Sequence, residues 1–218
     1  MEMELPKGWN EITIAQYIKY YTLSQSKFDD LIDFNVELLA ILSGESTEDI
    51  LNIPVEDIVK YVKQLEFLKE LPPTQLPYKF RLNGNVYKST LLMGDMTAGQ
   101  FMNFSDTLKG IKPEDYAYEM HKLLGCMCLK RERGIFFKDG KLSFVRYKYG
   151  SYVATANEFH DHMTMDLAYP FFVFFCKSME KSLPAIQDYL IKKLKKMKSK
   201  PKYLARVKAS LRLGLGLQ

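Results

Sequence analysis

The chain has 218 residues and a mass of 25.4 kDa, with 47% hydrophobic, 26% charged and 13% aromatic residues. That composition excludes a mainly disordered chain, a collagen-like chain and a coiled-coil rod, and the length suits one large or two small domains. The net charge of +5 is unevenly spread. No acidic residue follows Asp188, whereas Lys192, Lys193, Lys195, Lys196, Lys198, Lys200, Lys202, Arg206, Lys208 and Arg212 all do. A mildly acidic body therefore carries a strongly basic C-terminal segment.

In chain order, Thr13 with Gln16 three residues on forms a capping-box pattern, and Ile12 with Tyr17 fits a hydrophobic staple. Apolar spacing predicts a helix over 29–43, with Gly44 closing it, and a short helical turn capped at Ser46. A further amphipathic helix is expected over 57–70, ended by Leu71-Pro-Pro-Thr-Gln-Leu-Pro77. Two hairpins follow from period-two alternation around Asn83-Gly84 and Asp139-Gly140. Helices are expected at about 97–109, 114–129, 155–165, 169–180, 184–198 and 202–211. The fold class is α+β, predominantly α-helical. Its expected parts are a helical half at 1–77, a hairpin-plus-helix half at 78–188 and a basic helical extension at 189–218. Each half is expected to be associated with a small hairpin.

An internal echo supports two halves. Glu11-Ile-Thr-Ile-Ala-Gln-Tyr-Ile18 recurs as Asp95-Met-Thr-Ala-Gly-Gln-Phe-Met102 at an offset of 84, and Leu38-Leu39 and Leu123-Leu124 fall at an offset of 85. Capping boxes are common, so chance similarity and true pseudo-repetition both account for the match at this point.

Few residues suggest chemistry. His160 and His162 are two apart on a predicted helix and point about 200° away from each other, so they cannot share a metal there. His121 offers at most a third ligand. Cys126 and Cys128 lack the spacing of a structural zinc site and lie in an apolar run, as does Cys176, so all three read as packed thiols. Three cysteines do not make a disulfide framework. No phosphate loop, nucleophile elbow or metalloprotease motif is present, so no catalytic, cofactor or metal residue is assigned and a non-enzymatic role is expected. The acidic N-terminal stretch is unlike a signal peptide. The most apolar run, Ala168–Cys176, is nine residues long against the about 20 that a bilayer span needs.

The basic segment is the main site-like feature. Ile186, Leu190, Leu194 and Met197 form an apolar stripe, continued after Pro201 by Leu204, Val207 and Leu211. The residues assigned to partner binding are Tyr189, Lys192, Lys193, Lys195, Lys196, Lys200, Tyr203, Arg206, Lys208 and Arg212. Three roles compete: a cationic helix on its own body, an amphipathic element docking on a partner protein, and a phosphate-binding segment for nucleic acid.

Leu5-Pro-x-x-Trp9-Asn-Glu-Ile-Thr-Ile-Ala-Gln-Tyr-Ile, Leu39-x-Ile-Leu-x-Gly44-x-Ser-x-Glu-Asp-Ile and Met96-Thr-Ala-Gly-Gln-Phe together resemble tail assembly chaperones and baseplate-hub or hub-assembly proteins of contractile-tailed bacteriophages. The resemblance covers about residues 5–130. It implies a non-enzymatic structural or assembly protein with tail or baseplate proteins as partners, located in the virion tail or in the host cytoplasm during assembly. It supplies no site residues. Within that picture Trp9, Tyr17, Phe101 and Phe171–Phe175 are expected to anchor the core.

Overall fold

A computed structural model describes residues 3–90, 96–138 and 141–177. The extended Thr13 starts the first helix: its hydroxyl accepts from the Gln16 amide at 3.2 Å, while Gln16 Oε1 accepts from the Thr13 amide at 3.0 Å. That reciprocal box launches α1 (Ile14–Gln25). Asp30 caps α2 (Leu31–Ser43), and Gly44, at φ 80°, ends it in the left-handed conformation that costs glycine little. Ser46 caps α3 (Thr47–Leu51), and Pro54 precedes α4 (Val55–Gln64). The helix expected over 57–70 thus starts earlier, and after Leu65 it tightens into a 3₁₀ turn, Glu66–Lys69, ahead of the prolines. Trp9 packs edge-on against Tyr17 and Phe67 and donates its indole N–H to the Glu70 carbonyl at 3.2 Å. The lone tryptophan therefore pins the start of α1 to the end of the α4 region.

Both central residues of the Asn83-Gly84 turn have positive φ, 48° and 75°. That conformation matches the right-handed twist of the flanking strands, and it joins β1 (Lys79–Leu82) to β2 (Asn85–Ser89). After α5 (Ala98–Lys109) and a short 3₁₀ turn at Pro113–Asp115 come α6 (Met120–Met127), β3 (Cys128–Lys138) and β4 (Lys141–Lys148). The two hairpins do not serve one half each. Both arise after residue 78, and they pair edge to edge in one antiparallel sheet of order β1-β2-β3-β4. The β2–β3 pairing also corrects the helix expected over 114–129: Cys128 pairs with Ser89 and Leu129 with Lys88, so strand pairing replaces the last helical residues. The second hairpin is longer than its sequence signal, with a register shift between Arg133 and Phe136. Its turn, Asp139-Gly140, lies outside the described residues.

Ser151 caps α7 (Tyr152–His162), whose end is set by an extended Met163 and by the bridge that Thr164 makes with Thr13. Backbone bonds from Ile14 to Met163 (2.9 Å) and from Met165 to Ile12 (2.8 Å) tie the chain's early residues to this junction. The last helix among the described residues, α8, covers 165–177. Phe80 and Tyr87, directly opposed across β1 and β2, stack at 5.5 Å, and both meet Phe159 of α7. Phe171 of α8 closes the group at 5.6 Å from Phe80. The same cluster continues through Ile12, Ile14, Leu39 and Ile50, so side chains on both sides of residue 77 share one core. A smaller cluster joins Phe104, Leu123, Cys126 and Phe175. Of the expected aromatic anchors, Tyr17 and Phe171 pack inward, but Phe101 is 48% exposed: on α5 the inward ring is Phe104. Where α6 crosses α7, a Cβ on Gly125 would stand 3.1 Å from the Ala156 amide and from the Tyr152 carbonyl.

The sequence echo has a geometric counterpart. Thr97 and Gln100 form a second complete capping box. Gln16 Nε2 donates to the Leu42 carbonyl at 3.4 Å, and Gln100 Nε2 donates to the Cys126 carbonyl at 3.0 Å, each 26 residues ahead. Both carbonyls lie in the last turn of a helix, α2 or α6, where intrahelical donors run out. Each box thus clips its helix to the end of the next one, at the same 84-residue offset.

Gln100 is fully buried and also donates to Thr90 Oγ1 at 3.2 Å. Replacing it with Leu strands two acceptors and the Thr97 amide, and should lower the free energy of unfolding by about 2–3 kcal/mol. Gln16, less buried, should lose only about 1 kcal/mol on the same change; urea denaturation of Q16L and Q100L compares the two. Gly125→Ala improves helix propensity but overpacks the crossing against backbone atoms. A net loss of about 1–3 kcal/mol is expected, read as a lower melting temperature.

Candidate functional site

The ten residues assigned to partner binding, Tyr189, Lys192, Lys193, Lys195, Lys196, Lys200, Tyr203, Arg206, Lys208 and Arg212, lie outside the described residues. So do the helices expected at 184–198 and 202–211. Within the described residues, three groupings of polar or exposed apolar side chains stand out.

The first contains histidines. His160 and His162 sit in the last turn of α7. The fold brings His121 of α6 against His160, with ring centroids 5.0 Å apart and an edge-on angle of 64°. Burial, helped by the facing His160 ring and by Lys122, pushes the His121 imidazole down to about 4, with Glu119 and the Tyr118 backbone pulling the other way. His121 is therefore neutral at pH 7. His160 Nδ1 lies 2.7 Å from the neighbouring Asp161 carboxylate. Among the described residues no group of three or more His, Cys, Asp or Glu side chains is placed to hold a metal ion. The α6–α7 packing that created this pair had no local signal, because residues 121 and 160 lie far apart in sequence.

The second grouping surrounds Glu158, on the same helix. Its carboxylate accepts from the Tyr87 hydroxyl at 2.5 Å and from Asn85 Nδ2 at 2.9 Å, with Lys130 Nζ at 3.8 Å. Tyr87 has no exposed surface; burial first, and then the Glu158 contact, raise its phenol far above the ordinary range. The arrangement joins β2 and β3 to α7 and holds a buried hydroxyl protonated. It is a clamp, and the sequence offered no hint of it beyond the polar character of each residue. The thiols are likewise held protonated. Cys126 and Cys128 are buried, Cys176 is partly buried, none is disulfide-bonded, and burial raises all three.

The third feature is a surface. Leu31, Phe34 and Leu38 of α2 face Val59 and Val62 of α4 across a groove of about 480 Å³ that also reaches Tyr20. Leu31 is 72% exposed and Val59 48%. The segment carrying these helices, 29–70, holds eleven acidic residues and three lysines. Two of those lysines are already paired within it, Lys60 with Asp57 at 2.8 Å and Lys69 with Glu66 at 3.5 Å. The charged side chains of the lining itself are Lys63, Glu66 and Lys69, so the trough is apolar with a mixed-charge rim, and an open apolar surface of this kind suits contact with another apolar face better than it suits holding a small polar substrate. No helix among the described residues is long and apolar enough to cross a membrane.

No protein-family model matches this chain, and no curated protein and no solved structure is significantly similar to it.

The depressed His121 makes a pH prediction. A histidine held below its unfolded value of 6.5 binds fewer protons in the folded state, so folding stability falls as pH drops from about 6.5 towards 4 and levels off below that. His121→Gln removes the titration. The variant should lose less stability than the native chain between pH 7 and pH 4.5, by about 1 kcal/mol after allowing for partial solvent screening. Urea midpoints at the two pH values measure it.

Proposed function

We propose that this protein is a non-enzymatic structural or assembly component of a phage tail or baseplate, working through protein–protein contacts. The observation that carries the reading is the division of charge and apolar surface. The body is acidic and displays Leu31 and Val59 in an open groove, while the last thirty residues carry ten positive charges and no acidic residue. The described titratable side chains support it, since Glu158 is occupied by Tyr87 and Asn85 and the thiols are protonated at pH 7. The phage assignment draws on the resemblance of residues 5–130 to tail and hub-assembly proteins. A contact protein of this kind needs a rigid frame and a complementary charged face, not a reaction centre.

A second reading is favoured by the same ten charges: an accessory protein that binds nucleic-acid phosphates through residues 189–218. The two separate in one comparison, between the native chain and a variant with Lys192, Lys193, Lys195 and Lys196 changed to Glu. Affinity capture from phage-infected cells should recover identified tail or baseplate proteins with the native chain and lose most of them with the variant. If the native chain instead retains DNA or RNA at low salt, loses it steeply as salt rises, and recovers no tail protein, the nucleic-acid reading replaces the structural one.

A further inference from the structure

We infer that the uncovered face of the four-stranded sheet is a binding surface for single-stranded nucleic acid, held through its phosphates and by stacking on Tyr78. The other face of the sheet is filled. There Phe80 and Tyr87 meet Phe159 of α7, and Lys130 leans over the Tyr87 ring towards Glu158. Side chains alternate along a strand, so the opposite face receives Lys79, Arg81, Lys88, Arg131 and Arg133. Val86 and Leu129 occupy the described positions between these cations and are half-buried. The four strands together carry ten lysines and arginines and one acidic residue. That residue, Glu132, alternates with Arg131 and Arg133 and so belongs to the filled side. A sheet with one solvated face ordinarily shows mixed polar residues there; this one shows a single sign.

The placement works against the fold's own stability. Lys79 stands directly opposite Lys88, and like charges directly opposed across two strands destabilise a sheet. Lysines on an edge strand keep it from pairing with other chains, which accounts for Lys79 on β1. It does not account for Lys88 and Arg131, because β2 and β3 are the central strands. Among the described residues no ion pair engages Arg81, Lys88, Arg131 or Arg133. A polyanion laid on this face relieves the repulsion and supplies the missing partners. Positions on one face recur about every 6.8 Å along a strand and about every 4.8 Å across strands, a grid that a flexible phosphate backbone can follow. Tyr78, at the start of β1, is 52% exposed, and Lys88 Nζ lies 5.0 Å from its ring centroid. A ring for a base thus stands beside a cation for a phosphate, the combination that holds single strands. A duplex fits less well: four strands span about 14 Å, wider than a major groove of about 12 Å. The surface uses none of residues 189–218 and rests on neither reading given under Proposed function.

The test is fluorescence anisotropy of a labelled single-stranded DNA oligonucleotide of mixed sequence, titrated with the full chain over a range of salt concentrations. R81E/K88E/R133E, on the sheet, is compared with K19E/K27E/K112E, which makes the same charge change at exposed lysines elsewhere. Both are measured in the native chain and in K192E/K193E/K195E/K196E, so that the affinity of the C-terminal segment cancels. The sheet variant should bind about a hundredfold more weakly at about 0.1 M salt, with a salt slope shallower by about 2, as expected for three lost phosphate contacts. The control should change far less. Y78A should weaken binding about tenfold, the scale of one stacked base. A strand carrying 5-iodouracil, irradiated on the native chain, should attach at Tyr78. Circular dichroism establishes that the sheet variant is folded; if it is not, the site of attachment on the native chain decides. Equal losses in sheet and control variants, tighter binding of the matching duplex, or attachment confined to the last thirty residues each overturn the inference. Binding of phosphatidylserine vesicles without binding of the strand also overturns it and assigns the face to an anionic membrane surface. No tail protein is present, so failure here leaves the proposed function standing, and failure of the capture experiment leaves this surface standing.

Discussion

The fold depends on satisfying the carbonyls that the ends of helices leave open. A helix ends with four acceptors that have no intrahelical donor, and when that end is buried the deficit is costly. This chain answers twice with the same device, a glutamine that completes the capping box of one helix while its amide N–H reaches the closing turn of the next. Gln16 and Gln100 thereby fix how α1 lies on α2 and how α5 lies on α6. Gln100 does so with no solvent contact, so its three partners must come from protein: the Thr97 amide, Thr90 Oγ1 and the Cys126 carbonyl. Because Thr90 follows β2 and itself bonds the Met127 carbonyl, the clip also locates the sheet on the helices.

The body built on these clips is joined by aromatic rings rather than by ion pairs. Phe80, Tyr87, Phe159 and Phe171 link two strands and two helices through ring contacts of 5.0 to 5.8 Å, while most salt bridges described are exposed pairs three residues apart on one helix or turn. Such surface pairs contribute little individually. Glu158 is the exception because it is largely shielded and hydrogen-bonded by Tyr87 and Asn85. The body's surface adds the open trough between α2 and α4, and the sequence a charge contrast between residues 29–70 and the last thirty.

Local chemistry was legible in the sequence wherever it is written locally. The two capping boxes, the left-handed Gly44, the Ser46 cap and the Asn83-Gly84 turn all stand where short-range patterns place them. What escaped was set by long-range pairing. Cys128 leaves its apolar, helix-like run because Ser89 offers it a strand partner, and the two hairpins merge because β2 and β3 have complementary free edges. Phe101 was expected inside as the counterpart of Tyr17, yet among the described residues no ring packs on it as Trp9 packs on Tyr17, and Phe104 takes the interior instead. The His121–His160 contact and the Glu158 clamp were invisible for the same reason: each unites residues tens of positions apart, the first where α6 crosses α7 and the second where α7 lies on β2 and β3, and no pattern in either segment encodes that packing. The repeat occupied the middle ground, legible as letters and decided in meaning only by the matching pair of 26-residue reaches.

The bare backbone at position 125 governs more than the one contact it permits. Helix α7 rests on that point like a beam on a fulcrum, with Glu158 beneath the sheet, His160 beside α6, and the Thr164 bridge just past its far end. A small tilt there would be magnified with distance, so a single missing methyl sets the alignment of the sheet and of the chain's opening residues at once.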